Sequence, residues 1–176
     1  MAHLILRPLE GLEVVGRGRL DFGCRKDDAV SLLGEPCQQN DHALYYDLLD
    51  CHVYFDPQGI VDFFDIPEGP FLQSGNSVEI YGQDPFALHA DELYALLERH
   101  NGGGKITGDA PYSYRFCAIN TAIWRETYEE EILQMMAEYP HEAELLAHEL
   151  PKGRNYWSIG IGSAECYSKK PKRCLP

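Results

Sequence analysis

Between residues 126 and 149 the chain carries eight glutamates, at 126, 129, 130, 131, 138, 142, 144 and 149, and no lysine or arginine. Helices usually mix charge signs to gain pairs one turn apart, and like charges at that spacing destabilise by roughly 0.2–0.5 kcal/mol each. An unrelieved acidic run is therefore either a solvated face or a surface kept for a basic partner. The partner reading takes Glu129, Glu130, Glu131, Glu138, Glu142 and Glu144 as docking carboxylates, with Tyr128 and Tyr139 as anchors, because tyrosine supplies much of the desolvated contact at protein interfaces. In the same segment His141, Glu144 and His148 fall at i, i+3 and i+7, a spread that one helix could offer to a weakly held divalent ion. A zinc site needs three or four convergent ligands, and the H-E-x-x-H spacing fails because Leu145 stands where the second histidine belongs.

The other chemistry-bearing sets are weaker. Gly102-Gly103-Gly104-Lys105 lacks the phosphate-loop frame: Arg99 replaces its first glycine and Ile106 its hydroxyl, so the run reads as a helix terminus and a mobile loop. Ser163 follows Ile161-Gly162 and precedes Ala164-Glu165, outside the frame of a nucleophile elbow. The carboxylate pairs Asp62 with Asp65, and Asp47 with Asp50, point to opposite faces of a continuous strand and cannot share acid and base work. The six cysteines (24, 37, 51, 117, 166 and 174) form no C-x-x-C pair and read as buried free thiols of a reducing compartment. These residues predict a protein that is not an enzyme and needs no metal or cofactor.

The elements that must position these residues follow from periodicity and punctuation. Residues 11–22 read as two short strands. Residues 26–33 carry Ala29, Val30, Leu32 and Leu33, with acids in the first turn and Gly34 and Pro36 as the stop, which predicts a helix. From 43 to 66 the chain is rich in Tyr, Phe, Val and Ile, and Asp56-Pro57-Gln58-Gly59 marks a type I turn between two strands. Cys51, Val53 and Phe55 share one face, His52 and Tyr54 the other; beyond the turn, Val61 and Phe63 share a face opposite Ile60, Asp62, Phe64 and Ile66.

After a Pro- and Gly-rich junction at 67–76, the strand S-V-E-I-Y leads to an amphipathic helix over 89–99, with Ala90, Leu93, Leu96 and Leu97 on one face. An aromatic hairpin follows at 112–124. Thr127 predicts a helix cap with Glu130 at the capping-box position, and Ile132, Leu133, Met135, Met136 and Tyr139 supply the packing face. Pro140 opens a further helical stretch with Leu145, Leu146 and Leu150, ended by Pro151 and Gly153. Y-W-S-I-G-I-G at 156–162 is a strand whose glycines mark close backbone approach.

The predicted fold class is α+β: two related helix-plus-hairpin units, 20–66 and 78–125, sharing one antiparallel sheet. A late acidic helical insertion at 127–150, a terminal strand at 156–163 and a loose basic tail at 169–176 complete a single compact domain. With 44% hydrophobic and 24% charged residues, 176 residues can bury a core without a metal or disulfides. The net charge is −13, from 28 acids against 15 bases, which disfavours nucleic acid and anionic membranes and steers a basic protein inward. No apolar run approaches a signal core or a membrane span, so the expected location is the cytoplasm. The oligomeric state is left open.

One resemblance adds to this. The run G-x5-A-x2-L-L-G-x-P (Gly23, Ala29, Leu32, Leu33, Gly34, Pro36), the turn Y-F-D-x2-G (Tyr54, Phe55, Asp56, Gly59), D-P-F-x4-D-E-L-x2-L-L, the strand end W-R-E and the terminal Y-W-S-I-G-I-G resemble a group of small bacterial cytosolic proteins. That group includes immunity proteins of polymorphic or contact-dependent toxin systems. The helix-then-hairpin outline is also similar to the tandem units of beta-lactamase inhibitor proteins. The resemblance implies a binding module that blocks a basic, nuclease-like toxin by occlusion. It carries no functional residues over. Two other readings stay open: a ligand-binding protein or enzyme with a pocket between sheet and helices, and a self-associating structural protein.

Overall fold

A computed structural model describes residues 1–67 and 75–164. The tail at 169–176, Cys166 and Cys174 lie outside the described residues. Among the described residues twelve strands form two sheets, and five α-helices pack around them. The smaller sheet has the order β3 (Gly18–Asp21), β2 (Gly11–Val14), β1 (His3–Arg7), β8 (Ser77–Ile80). Its β1–β8 pair is parallel, with Leu4 opposite Val78 and Leu6 opposite Ile80, so where one shared antiparallel sheet was expected there are two, and this one, which holds the strands β3 and β8 that open the two units, is mixed. In β1, Leu4 and Leu6 are buried and alternate with more open neighbours, the period-2 pattern of a half-buried strand.

The larger sheet is antiparallel throughout. Its order is β4 (Gln38–Gln39), β5 (Ala43–Tyr46), β6 (Cys51–Phe55), β7 (Val61–Ile66), β12 (Ser158–Gly162), β11 (Thr121–Trp124), β10 (Ser113–Phe116), β9 (Ile106–Thr107). The first four strands form one meander and the last four another, joined where Ile66 faces Ile159 and Phe64 faces Ile161. Helix α1 (Lys26–Leu33) contacts β3 and helix α2 (Ala90–Asn101) contacts β10; Ala29 and Leu33 of α1 and Ala90, Leu93, Leu96 and Leu97 of α2 enter one shared core. The α2 start is held by a capping box, in which the Glu92 carboxylate accepts from the His89 backbone N–H at 3.0 Å.

Several local expectations hold in detail. The Asp56 carboxylate accepts from the Gln58 and Ile60 N–H groups at 2.8 and 3.0 Å, closing the turn at Gly59. Cys51, Val53 and Phe55 are buried, while His52 and Tyr54 lie under a ladder of rings that also takes in Tyr45 and Phe63. A Cβ on Gly160 would come within 2.2 Å of the Phe63 ring, the close approach expected of that strand. Beyond the turn, however, Val61 joins Phe64 and Ile66 in the core, because a register shift at Tyr54/Phe55 inserts a residue and reverses the face on which Val61 falls.

Two further expectations are corrected. The glycine run after α2 is held: Asn101, buried at the helix end, donates from Nδ2 to the Gly104 carbonyl at 2.6 Å and accepts from the Ala118 N–H at 2.9 Å. Among the four described cysteines only Cys51 is buried; Cys37 is exposed.

The late insertion leaves β11 and returns to β12, which are neighbours. Trp124 faces Ser158, and the Trp157 N–H donates to the Trp124 carbonyl at 2.8 Å, so 125–156 form a lobe closed at its own base. The lobe contains α3 (Glu129–Glu138), a 3-10 turn (Pro140–Glu142), α4 (Ala143–Ala147) and α5 (Leu150–Arg154). Helix α3 starts after Tyr128, so Glu131 and not Glu130 meets the Thr127 hydroxyl, at 3.1 Å. Pro151 sits in the first turn of α5, where its missing N–H costs nothing, and the helix continues through Gly153.

Candidate functional site

The acidic lobe divides the predicted docking residues into two sets. Three face the body. Glu129 is bonded to Arg154 Nε at 3.0 Å and lies 3.8 Å from His89 Nε2, linking α3 to α5 and to the start of α2. Glu131 accepts from the Tyr112 and Thr127 hydroxyls, each at 3.1 Å, and Tyr128 packs edge-on against Tyr112. The others face outward: Glu130, Glu138, Glu142, Glu144 and Tyr139 are exposed. Glu138 accepts from Gln134, one turn before it, and Glu142 lies 3.3 Å from His141.

The apolar residues of α3 depart from the expected packing face. Ile132 is buried and Met136 half-buried, while Leu133, Met135 and Tyr139 are 40–49% exposed and Leu145 of α4 is 68% exposed. An i, i+4 pair is enough to seat a helix that touches the body along one narrow line, so the second apolar stripe remains outside. The outward surface of the lobe thus combines large apolar side chains with carboxylates.

Beneath the start of α3 lies a cleft of about 440 Å³ that sequence reasoning missed. At its base is Arg125, the residue after β11 and only 7% exposed. Its Nε donates to the Pro111 carbonyl and its Nη1 to the Gly153 carbonyl of α5, both at 3.0 Å. Its guanidinium carbon lies 4.9 Å from the Tyr156 ring centre and 5.7 Å from that of Tyr128. Tyr94 of α2 and Tyr114 of β10, edge to face at 4.8 Å, form the opposite wall, and Asp91 and Glu130 stand at the mouth. Burial pushes the Tyr156 hydroxyl up to about 12, with the Arg125 charge opposing, so this phenol stays neutral beside the cation. The available sequence signal was an arginine closing an aromatic strand, with Tyr128 and Tyr156 to stack on it.

The remaining motifs are taken up locally. The Ser163 hydroxyl donates to the Asp62 carboxylate, whereas Asp65 lies 3.7 Å from His52 Nδ1, so these two carboxylates work apart. A 3-10 turn (Asp47–Leu49) interrupts the run that holds Asp47 and Asp50, and Asp50 accepts from Asn76 at 3.0 Å. Among the described residues no three His, Cys, Asp or Glu side chains, including His141, Glu144 and His148, converge as a metal-binding group. No helix among them is long and apolar enough to cross a membrane. Comparison with known protein families, with curated proteins and with solved structures finds no match to this chain.

Proposed function

We propose that this chain is a non-enzymatic acidic binding protein, an immunity protein that neutralises a basic, nuclease-like bacterial toxin in the cytoplasm by covering its active surface. The observation that carries the reading is the outward surface of the lobe, where Leu133, Met135, Tyr139 and Leu145 are exposed within a segment that has eight glutamates and no lysine or arginine. Apolar side chains supply the desolvated centre of an interface, and carboxylates around them choose a cationic partner and speed its approach. The carboxylates take the place of the phosphates that such a toxin grips. The same reading treats 20–66 and 78–125 as related units, each running from strand through helix into a meander, and the mirrored order of the large sheet supports it.

The test is viable-cell count when the reading frame adjacent to this gene is induced with and without this chain. Lethality relieved by co-expression is the expected result. Replacing Glu130, Glu138, Glu142 and Glu144 together by lysine should abolish the relief while leaving the circular dichroism unchanged. Lethality that this chain fails to relieve, or full protection by the folded lysine variant, would reject the docking surface.

A further inference from the structure

The Arg125 cleft is separate in chemistry from the outward lobe surface, and it poses a problem of charge. A buried guanidinium normally faces a carboxylate, because an uncompensated buried charge is costly. Among the described residues Arg125 has none within ion-pair distance; its partners are two backbone carbonyls and two ring faces. These use two of its five N–H donors, and Nη2 makes no hydrogen bond among the described residues. Among the described residues Tyr46 Oη alone is a side-chain atom both buried from solvent and without a partner, so Nη2 is not sealed off. Arg125 is one of the residues that line the cleft.

The cleft falls within the usual range of small-ligand sites, roughly 300–1,000 Å³. Its charges narrow the choice. A phosphate or other dianion would meet Asp91 and Glu130 at the mouth of a molecule whose net charge is −13. A plain cation would meet Arg125 at the base. A molecule with one carboxylate and one ammonium group answers both ends, and the tyrosine walls suit an apolar or aromatic body between them.

We propose that the Arg125 cleft binds a free amino acid, its carboxylate on the Arg125 guanidinium and its ammonium group toward Asp91 and Glu130. The carboxylate takes the unused donors of the fork, and no bond is made or broken. This assignment shares Glu130 with the docking surface on α3 and α4 and otherwise rests on residues that surface does not use.

The test uses the whole chain and each genetically encoded L-amino acid as a separate probe at about 10 mM, read by thermal shift and then by calorimetry. At least one, with an apolar or aromatic side chain, is expected to raise the melting temperature. Its N-acetyl derivative, which lacks the ammonium, and its amide, which lacks the carboxylate, should each bind about tenfold more weakly or worse. Arg125→Met should abolish binding. Because Arg125 also ties Pro111 to Gly153, Asp91→Asn and Glu130→Gln at the exposed mouth provide the second arm: each should weaken binding about threefold to tenfold while lowering the melting temperature of the free protein by only a few degrees, the cost of a neutralised first-turn acid. No shift with any amino acid, or equal affinity for the N-acetyl derivative, would overturn the assignment.

Discussion

Two buried tyrosines set the chain's response to alkali. The Tyr46 and Tyr156 hydroxyls are each pushed from 10.0 up to about 12, chiefly by burial, and burial also pushes the Cys51 thiol up. Unfolding would let the two phenols ionise near 10.0, so the folded chain holds protons that the unfolded chain gives up first. Their contribution to stability is complete below that pH and is lost as pH rises toward 12. The melting temperature should be level up to about pH 9.5 and fall above it, with the last phenolate absorbance appearing together with loss of circular dichroism. Ionisation of Tyr46 and Tyr156 together with the exposed tyrosines, complete in a still-folded chain at about pH 11, would contradict this. At this scale, alternation made the core side chains of β6 legible, because a continuous strand turns every second residue inward. Val61 was not legible, since a register shift leaves no mark in hydrophobicity. Arg125 escaped notice because its partners, Pro111, Tyr128, Gly153 and Tyr156, are brought together only by the fold.

Among the elements, the contact of α5 with the start of α3 is the tightest constraint on the lobe. A Cβ on Gly153 would come within 2.6 Å of the Glu129 nitrogen and 2.7 Å of the Tyr128 carbonyl carbon, backbone atoms that cannot rotate away. Gly153→Ala should destabilise by about 1–3 kcal/mol in denaturant titration, as overpacking does elsewhere, and it should shift the carbonyl that Arg125 grips. A wild-type denaturation midpoint would show that α5 is free to slide. Helices whose ends are marked by local chemistry were read closely: α1 covers residues 26–33 as expected, with Gly34 at a positive φ of 94° at its stop. The lobe was read less closely, because Pro151 and Gly153 have two meanings. Proline in a first turn opens a helix, and a glycine at a close crossing belongs inside one.

For the whole molecule, strand pairing between distant segments was the least legible feature. The parallel pair of β1 with β8 and the seam of β7 with β12 join segments far apart in the chain, and nothing local in either strand names its partner. The closure of the lobe on adjacent strands makes it removable in principle. Replacing 125–157 by Asn-Gly would join Trp124 to its partner Ser158 through a two-residue hairpin. The shortened chain should keep the sheet signature in circular dichroism with a lower melting temperature, since Ile132 and Tyr156 leave the buried set. It should neither relieve toxicity nor bind an amino acid. A chain that cannot fold without the lobe would show that the large sheet depends on it.

The mirrored sheet also has a temporal consequence. Strand β12 is the last of the described strands in sequence, yet it lies between β7 and β11 at the middle of the sheet. While a ribosome is still translating the lobe, two half-sheets stand with open edges, and strand edges in that state recruit other chains. Completion of the sheet must wait for residues 158–162 to emerge, so a stalled nascent chain is the form of this protein most in need of a chaperone.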